Sequence, residues 1–166
     1  MAEIVKPPAQ YNAKGKYTVF LAGTIDMGEG EDWQKRVEER LSSFGDWLLI
    51  LNPRRDDWDS SWEQTIENKE FKNQVTWELN GQEAADCVMF VFATDEENAK
   101  KAKAPITLLE LGLFRTKECV VVCPQGFYRK GNVDIVCERY GIPVYEDLDT
   151  MLDDLVQTIA ASEPST

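Results

Sequence analysis

Histidine is absent from this 166-residue chain. That absence excludes Ser-His-Asp and Cys-His catalysis, the histidine-containing zinc hydrolase motifs and imidazole proton shuttles together. An enzyme built on this sequence must run its proton transfers and nucleophilic steps on carboxylates, tyrosine or lysine. Cysteine is scarce: Cys87, Cys119, Cys123 and Cys137 fall in apolar runs without C-x-x-C spacing, which indicates reduced core residues rather than a zinc knot or a disulfide framework. No apolar run approaches the length that spans a bilayer, and Met1 to Pro8 lacks the apolar core of a signal peptide. No Lys/Arg cluster offsets the formal charge of −12, which opposes phosphate backbones and anionic membrane surfaces. Composition therefore predicts a soluble, cytoplasmic protein that binds neither a nucleic acid polymer nor a membrane.

A chain of this length fills one core and is too short for two ordinary domains. Residues 1–16 show no periodicity and read as an extended arm; 17–159 read as the domain and 160–166 as a loose tail. Tyr17 to Gly23 is a β-rich run closed by glycine, followed by a loop to Asp32 and a helix bearing Trp33, Val37, Leu41 and Phe44. Trp47 to Leu51 is the second strand. The segment from Arg54 to Trp62 is polar and aromatic, and its tryptophans either line a pocket or interface or simply cover the core. From Glu63 the spacing of Phe71, Val75 and Leu79 predicts a helix with an apolar stripe, ending near Ala85. Three further strands, Cys87–Phe92, Cys119–Cys123 and Ile142–Tyr145, alternate with helices around Glu110, around residues 132–140 and over 148–159.

Five alternations of strand and helix call for a doubly wound parallel sheet, and the flavodoxin-like strand order 2-1-3-4-5 is expected. Ligands in such sheets bind beyond the carboxyl ends of the strands, near the switch point. This rule gathers the loop after the first strand, with Gly23, Thr24 and Asp26, and the loop after the second, with Asn52, Arg54, Asp57, Trp58 and Trp62. It also gathers the segment from Phe92 to Glu110. No G-x-G-x-x-G and no G-K-[ST] is present, so neither a dinucleotide nor a P-loop site is indicated. The acids Asp26, Glu29, Glu31 and Asp32 oppose a phosphate unless Arg54 and Arg55 offset them, so an uncharged sugar or nucleoside fits better than a nucleotide.

Glu110 is a lone acid between Leu109 and Leu111, in a helix that Pro105 opens. A carboxylate in an apolar setting, with other acids nearby and no histidine, suits glycosyl transfer. It can attack an anomeric carbon while a second acid protonates the leaving base.

Several motifs occur in one order: Val19-Phe-Leu-Ala-Gly-Thr-Ile-Asp26, Asn52-Pro-Arg-Arg55 with Trp58 and Trp62, Trp77-Glu78 before Ala85-Asp86, Thr107-x-x-Glu110-x-Gly112, and Gly141-Ile-Pro-Val144. Together they resemble the nucleoside 2-deoxyribosyltransferase-like superfamily, from Tyr17 to about Val156. The resemblance implies that Glu110 is the nucleophile that takes the 2-deoxyribosyl group. Glu78 falls near the place of an Asp that binds or protonates the base, and Phe20 near that of an aromatic residue beside the sugar. Phe20 lacks a hydroxyl and can only pack. A second Asp that relatives carry shortly before the nucleophile is replaced here by Lys103, Ala104 and Pro105. Asp86 reads as a structural acid at the start of its strand. The implied substrates are nucleosides and nucleobases, with no cofactor and no metal, in a homo-oligomer whose interface draws on the helix up to Ala85 and the exposed tryptophans. Hydrolysis of a nucleoside or nucleoside 5′-monophosphate, NAD cleavage, and a silent nucleotide-sensing module are the alternatives.

Overall fold

The apolar runs at residues 17–23, 48–51, 87–91 and 119–122 show no polar alternation, so each needs cover on both faces; a parallel sheet between two helix layers provides it. The computed structural model describes residues 1–24 and 31–165. Its strands are β1 (Glu3–Val5), β2 (Tyr17–Gly23), β3 (Leu48–Leu51), β4 (Cys87–Val91), β5 (Cys119–Val122) and β6 (Val144–Tyr145), all parallel in the order β1-β3-β2-β4-β5-β6. The helices are α1 (Trp33–Leu41), α2 (Lys69–Ala84), α3 (Glu96–Ala99), α4 (Pro105–Phe114), α5 (Lys130–Tyr140) and α6 (Leu148–Ala161). The expected flavodoxin-like order 2-1-3-4-5 is present as β3-β2-β4-β5-β6.

The sheet has six strands rather than five. Residues 3–5, expected within a free arm, pair with β3 in the register Val5↔Leu51, and Asn52 N–H donates to the Val5 carbonyl at 3.0 Å. A three-residue strand ahead of two prolines is too short to show a period of two, but it satisfies backbone groups of β3 that would otherwise be left at an edge. Farther along, Trp77 Nε1 donates to the Ala9 carbonyl at 3.0 Å and Tyr11 meets the Trp77 ring edge-on, so this segment covers α2.

Alternate strand residues feed two cores. Val19, Leu21, Ile50, Met89 and Val91 pack with Trp33 and Val37 of α1 and with Met151 and Leu155 of α6. On the other face Phe20, Leu51, Val88, Phe90 and Val121 pack with Leu111 of α4 and with Val133 and Cys137 of α5. All four cysteines are buried and unpaired, as expected from their apolar surroundings. Among the described residues, no helix is long and apolar enough to cross a membrane.

Helix α2 departs from its expected face. Phe71, Val75 and Leu79 are only half-buried, and the residues it buries are Gln74, Gly81 and Gln82. Gly81 explains the shift: an added Cβ there would stand 2.7 Å from the Phe20 ring, so the glycine lets α2 settle onto β2 and turns the neighbouring amides inward.

Candidate active site between two helices

Three residues of α2 at intervals of four, Gln74, Glu78 and Gln82, form a polar stripe that runs toward α4. Gln74 Nε2 donates to the Pro53 carbonyl at 3.0 Å and to Glu78 Oε1 at 3.1 Å. Gln82 Nε2 donates to the Glu78 carbonyl at 3.3 Å and to Glu110 Oε2, the contact that joins α2 to α4. Both Gln side chains are buried, and both leave Oε1 buried without a partner among the described residues. A helix face that buries amides where leucines would pack better marks a site whose residues are set by something other than core stability.

The two carboxylates are half-buried. Burial pushes Glu78 up to about 7; the Gln74 amide opposes that rise and the Glu110 charge adds to it. Burial also raises Glu110, against the Gln82 amide that favours its ionised form. Near neutrality this pair can therefore hold one acid and one carboxylate, the division of labour that glycosyl chemistry requires.

Phe20 is 1% exposed and lies beneath Gly81 and beside Trp77, so it supports the helix that carries Glu78. Gly23 ends β2 where a Cβ would lie 2.5 Å from the Val91 carbonyl oxygen and 2.6 Å from the Trp33 ring. Next to it, Thr24 donates through Oγ1 to the Phe92 carbonyl at 3.2 Å, and its own carbonyl accepts from Trp33 Nε1 at 3.0 Å. Thr24 lines a cavity of about 20 Å³ at the ends of β2 and β4, with Phe92, Thr94 and Asn98, room for no more than a water. Asp26 lies outside the described residues.

Asn52, expected at the substrate, is engaged by the fold itself. It is 1% exposed, its Nδ2 donates to Glu38 of α1 at 2.7 Å, and its Oδ1 accepts from Arg54 N–H at 2.9 Å. Both ends of the amide are engaged, on the α1 side of the sheet, away from Glu78 and Glu110. Arg54 faces Asp32 at 3.6 Å. Asp57 holds Arg55 at 2.6 Å, Arg55 lies 5.0 Å above the Trp62 ring, and Trp58 bridges Trp62 and Phe71. These residues form a cluster joined to the start of α2. Asp86 accepts from Thr18 N–H at 2.8 Å, the structural role expected for it.

Sequence reading missed Gln74 and Gln82. Their signal was the Gln-x-x-x-Glu-x-x-x-Gln spacing, one helical position away from the apolar stripe that drew attention. A larger depression of about 290 Å³, lined in part by Glu118, Tyr140, Tyr145 and Asp154, lies at the opposite end of the sheet and shares no residue with the carboxylate pair. Volume alone would choose that depression; the paired acids choose the α2–α4 seam, and chemistry follows the acids.

Fold and site define a flavodoxin-like α/β protein that holds two perturbed carboxylates in a polar seam between helices. The sequence pattern of the nucleoside 2-deoxyribosyltransferase-like family matches residues 16–127, more than half of the chain and the whole of the seam. The chain belongs to that family. No curated protein matches it significantly.

Proposed function

We propose that the protein is a nucleoside 2-deoxyribosyltransferase that works through a glutamyl-deoxyribosyl intermediate. The observation that carries this reading is the Glu78–Glu110 pair, one acid raised to about 7 and the other held by an amide donor. Glu110 attacks the anomeric carbon of a 2′-deoxynucleoside as the bond from that carbon to the base nitrogen breaks. The bonding electrons leave with the base, and protonated Glu78 supplies its proton. In the second half, an incoming base attacks the same carbon, releases the Glu110 carboxylate and returns a proton to Glu78. The substrate is a nucleoside rather than a nucleotide: at the exit of β3 Arg54 faces Asp32, and Arg55 faces Asp57 and Glu70, so both cations are already matched by carboxylates.

The protein assembles as a homo-oligomer through α4. Ile106, Leu109 and Leu113 lie on one outward face of this helix at 59, 66 and 56% exposure, while α1 and α6 expose no large apolar side chain among the described residues.

Incubation with deoxyinosine, with and without free adenine, tests the activity. Deoxyadenosine appearing only with adenine is the expected result. Hypoxanthine release without transfer assigns hydrolysis, and the absence of any base release overturns the reading. Mass spectrometry should find a deoxyribosyl adduct on Glu110, absent from Glu110→Gln.

A further inference from the structure

Gln82 has no ordinary structural reason to be a glutamine. Its side chain is fully buried, where leucine or methionine would fill the same space without desolvating an amide, and its Oε1 finds no donor among the described residues. Its Nε2, however, spans two helices, from the Glu78 carbonyl to the Glu110 carboxylate. Gly81, one residue earlier, brings α2 down onto Phe20 and so sets the depth at which this amide meets α4.

We propose that Gln82 is the positioning residue for Glu110. It holds one carboxylate oxygen by a hydrogen bond, so that the other faces the anomeric carbon, and it favours the ionised form needed for attack. This inference rests on the reading of Glu110 as nucleophile. A donor aimed at one oxygen fixes the rotamer of a carboxylate on a helix that is otherwise apolar, and it offsets part of the penalty that burial places on the charge. The charged group facing Glu110 from α2 is Glu78, which Gln74 holds separately.

The test compares the full-length wild type with Gln82→Met, Gln74→Met and Glu110→Gln, reading kcat and KM for deoxyinosine between about pH 4 and 9, with thermal unfolding alongside. Gln82→Met keeps the length and removes the orphaned oxygen together with the donor, so the fold should hold. Its kcat is expected to fall by about tenfold or more, with KM changed by less than about threefold. The acidic limb of its profile moves to higher pH, because Glu110 loses the donor that favours its charge. Gln74→Met moves the alkaline limb instead, through Glu78. If Gln82→Met does not fold, Gln82→Asn, which withdraws the amide by one methylene, is read in the same way. An unmoved acidic limb and unchanged kcat, with Glu110→Gln inactive, overturn the role of Gln82 and leave the nucleophile in place. An active Glu110→Gln overturns both.

Discussion

Gly81 lies so close to the Phe20 ring that a methyl group would stand 2.7 Å from one ring carbon and 2.9 Å from the next. This contact fixes the height of α2 above β2, and with it the positions of Glu78 and Gln82. Gly81→Ala must push the helix outward or force the ring off its rotamer, at a cost of about 1–3 kcal/mol. Thermal unfolding should report that loss together with a lower kcat. Gly131, where a Cβ would meet nothing within 4 Å, is the comparison: Gly131→Ala in α5 should be neutral or stabilising by up to about 1 kcal/mol.

Glu78 should set the alkaline limb of activity. Raised by burial to about 7, it is protonated below that pH and loses its donor proton above it, so kcat/KM falls as pH rises through neutrality. Glu78→Gln should abolish that limb and cost most with purine leaving groups. A p-nitrophenyl 2-deoxyriboside, whose leaving group needs no proton, should be cleaved by the variant at nearly the wild-type rate. An equal loss on both substrates would remove Glu78 as the acid.

The same residue makes stability depend on pH. Its folded-state pKa lies above the ordinary carboxylate value, so the native state binds more protons than the unfolded chain between about pH 4.5 and 7. Stability contributed by the neutral form is therefore lost as pH rises through that window. Glu78→Gln, which cannot ionise, should be more stable than wild type at pH 8 by about 3 kcal/mol and nearly equal to it at pH 4. Urea unfolding at the two pH values measures this difference.

Asn52→Ala separates scaffolding from binding. It leaves the Glu38 carboxylate without its amide donor and the β3 exit without its turn contact. Unfolding should show a loss of about 1–3 kcal/mol, with KM for deoxyinosine little changed. A large rise in KM at unchanged stability would return Asn52 to the substrate.

Leu109→Lys tests the assembly. Leu109 is largely exposed in the single chain, so the fold should tolerate the charge, while an oligomer seated on α4 should fall toward the monomer mass by light scattering. An unchanged mass would place the interface elsewhere.

Strands β2 to β6, their parallel order and Glu110 were legible in the sequence because they rest on local patterns. Continuous apolar runs require cover on both faces, and a lone carboxylate among leucines stands out wherever the helix is placed. β1 was not legible, since three residues carry no periodicity and its partner β3 lies more than forty positions away. Nor was the orientation of α2, where Phe71, Val75 and Leu79 advertised a face that the structure leaves half-exposed. Asn52 was found as a conspicuous polar residue at a strand end, but its direction depends on Glu38, a contact made across the fold.

By itself, the sequence determined the layered architecture and the restriction of chemistry to carboxylates, because hydropathy and residue inventory act before any contact forms. Tertiary structure alone decided how Glu78 and Glu110 are brought together and which amides hold them. A glycine against an aromatic ring sets how one helix lies on the sheet, and the rotation of that helix brings Glu78 and Gln82 to Glu110.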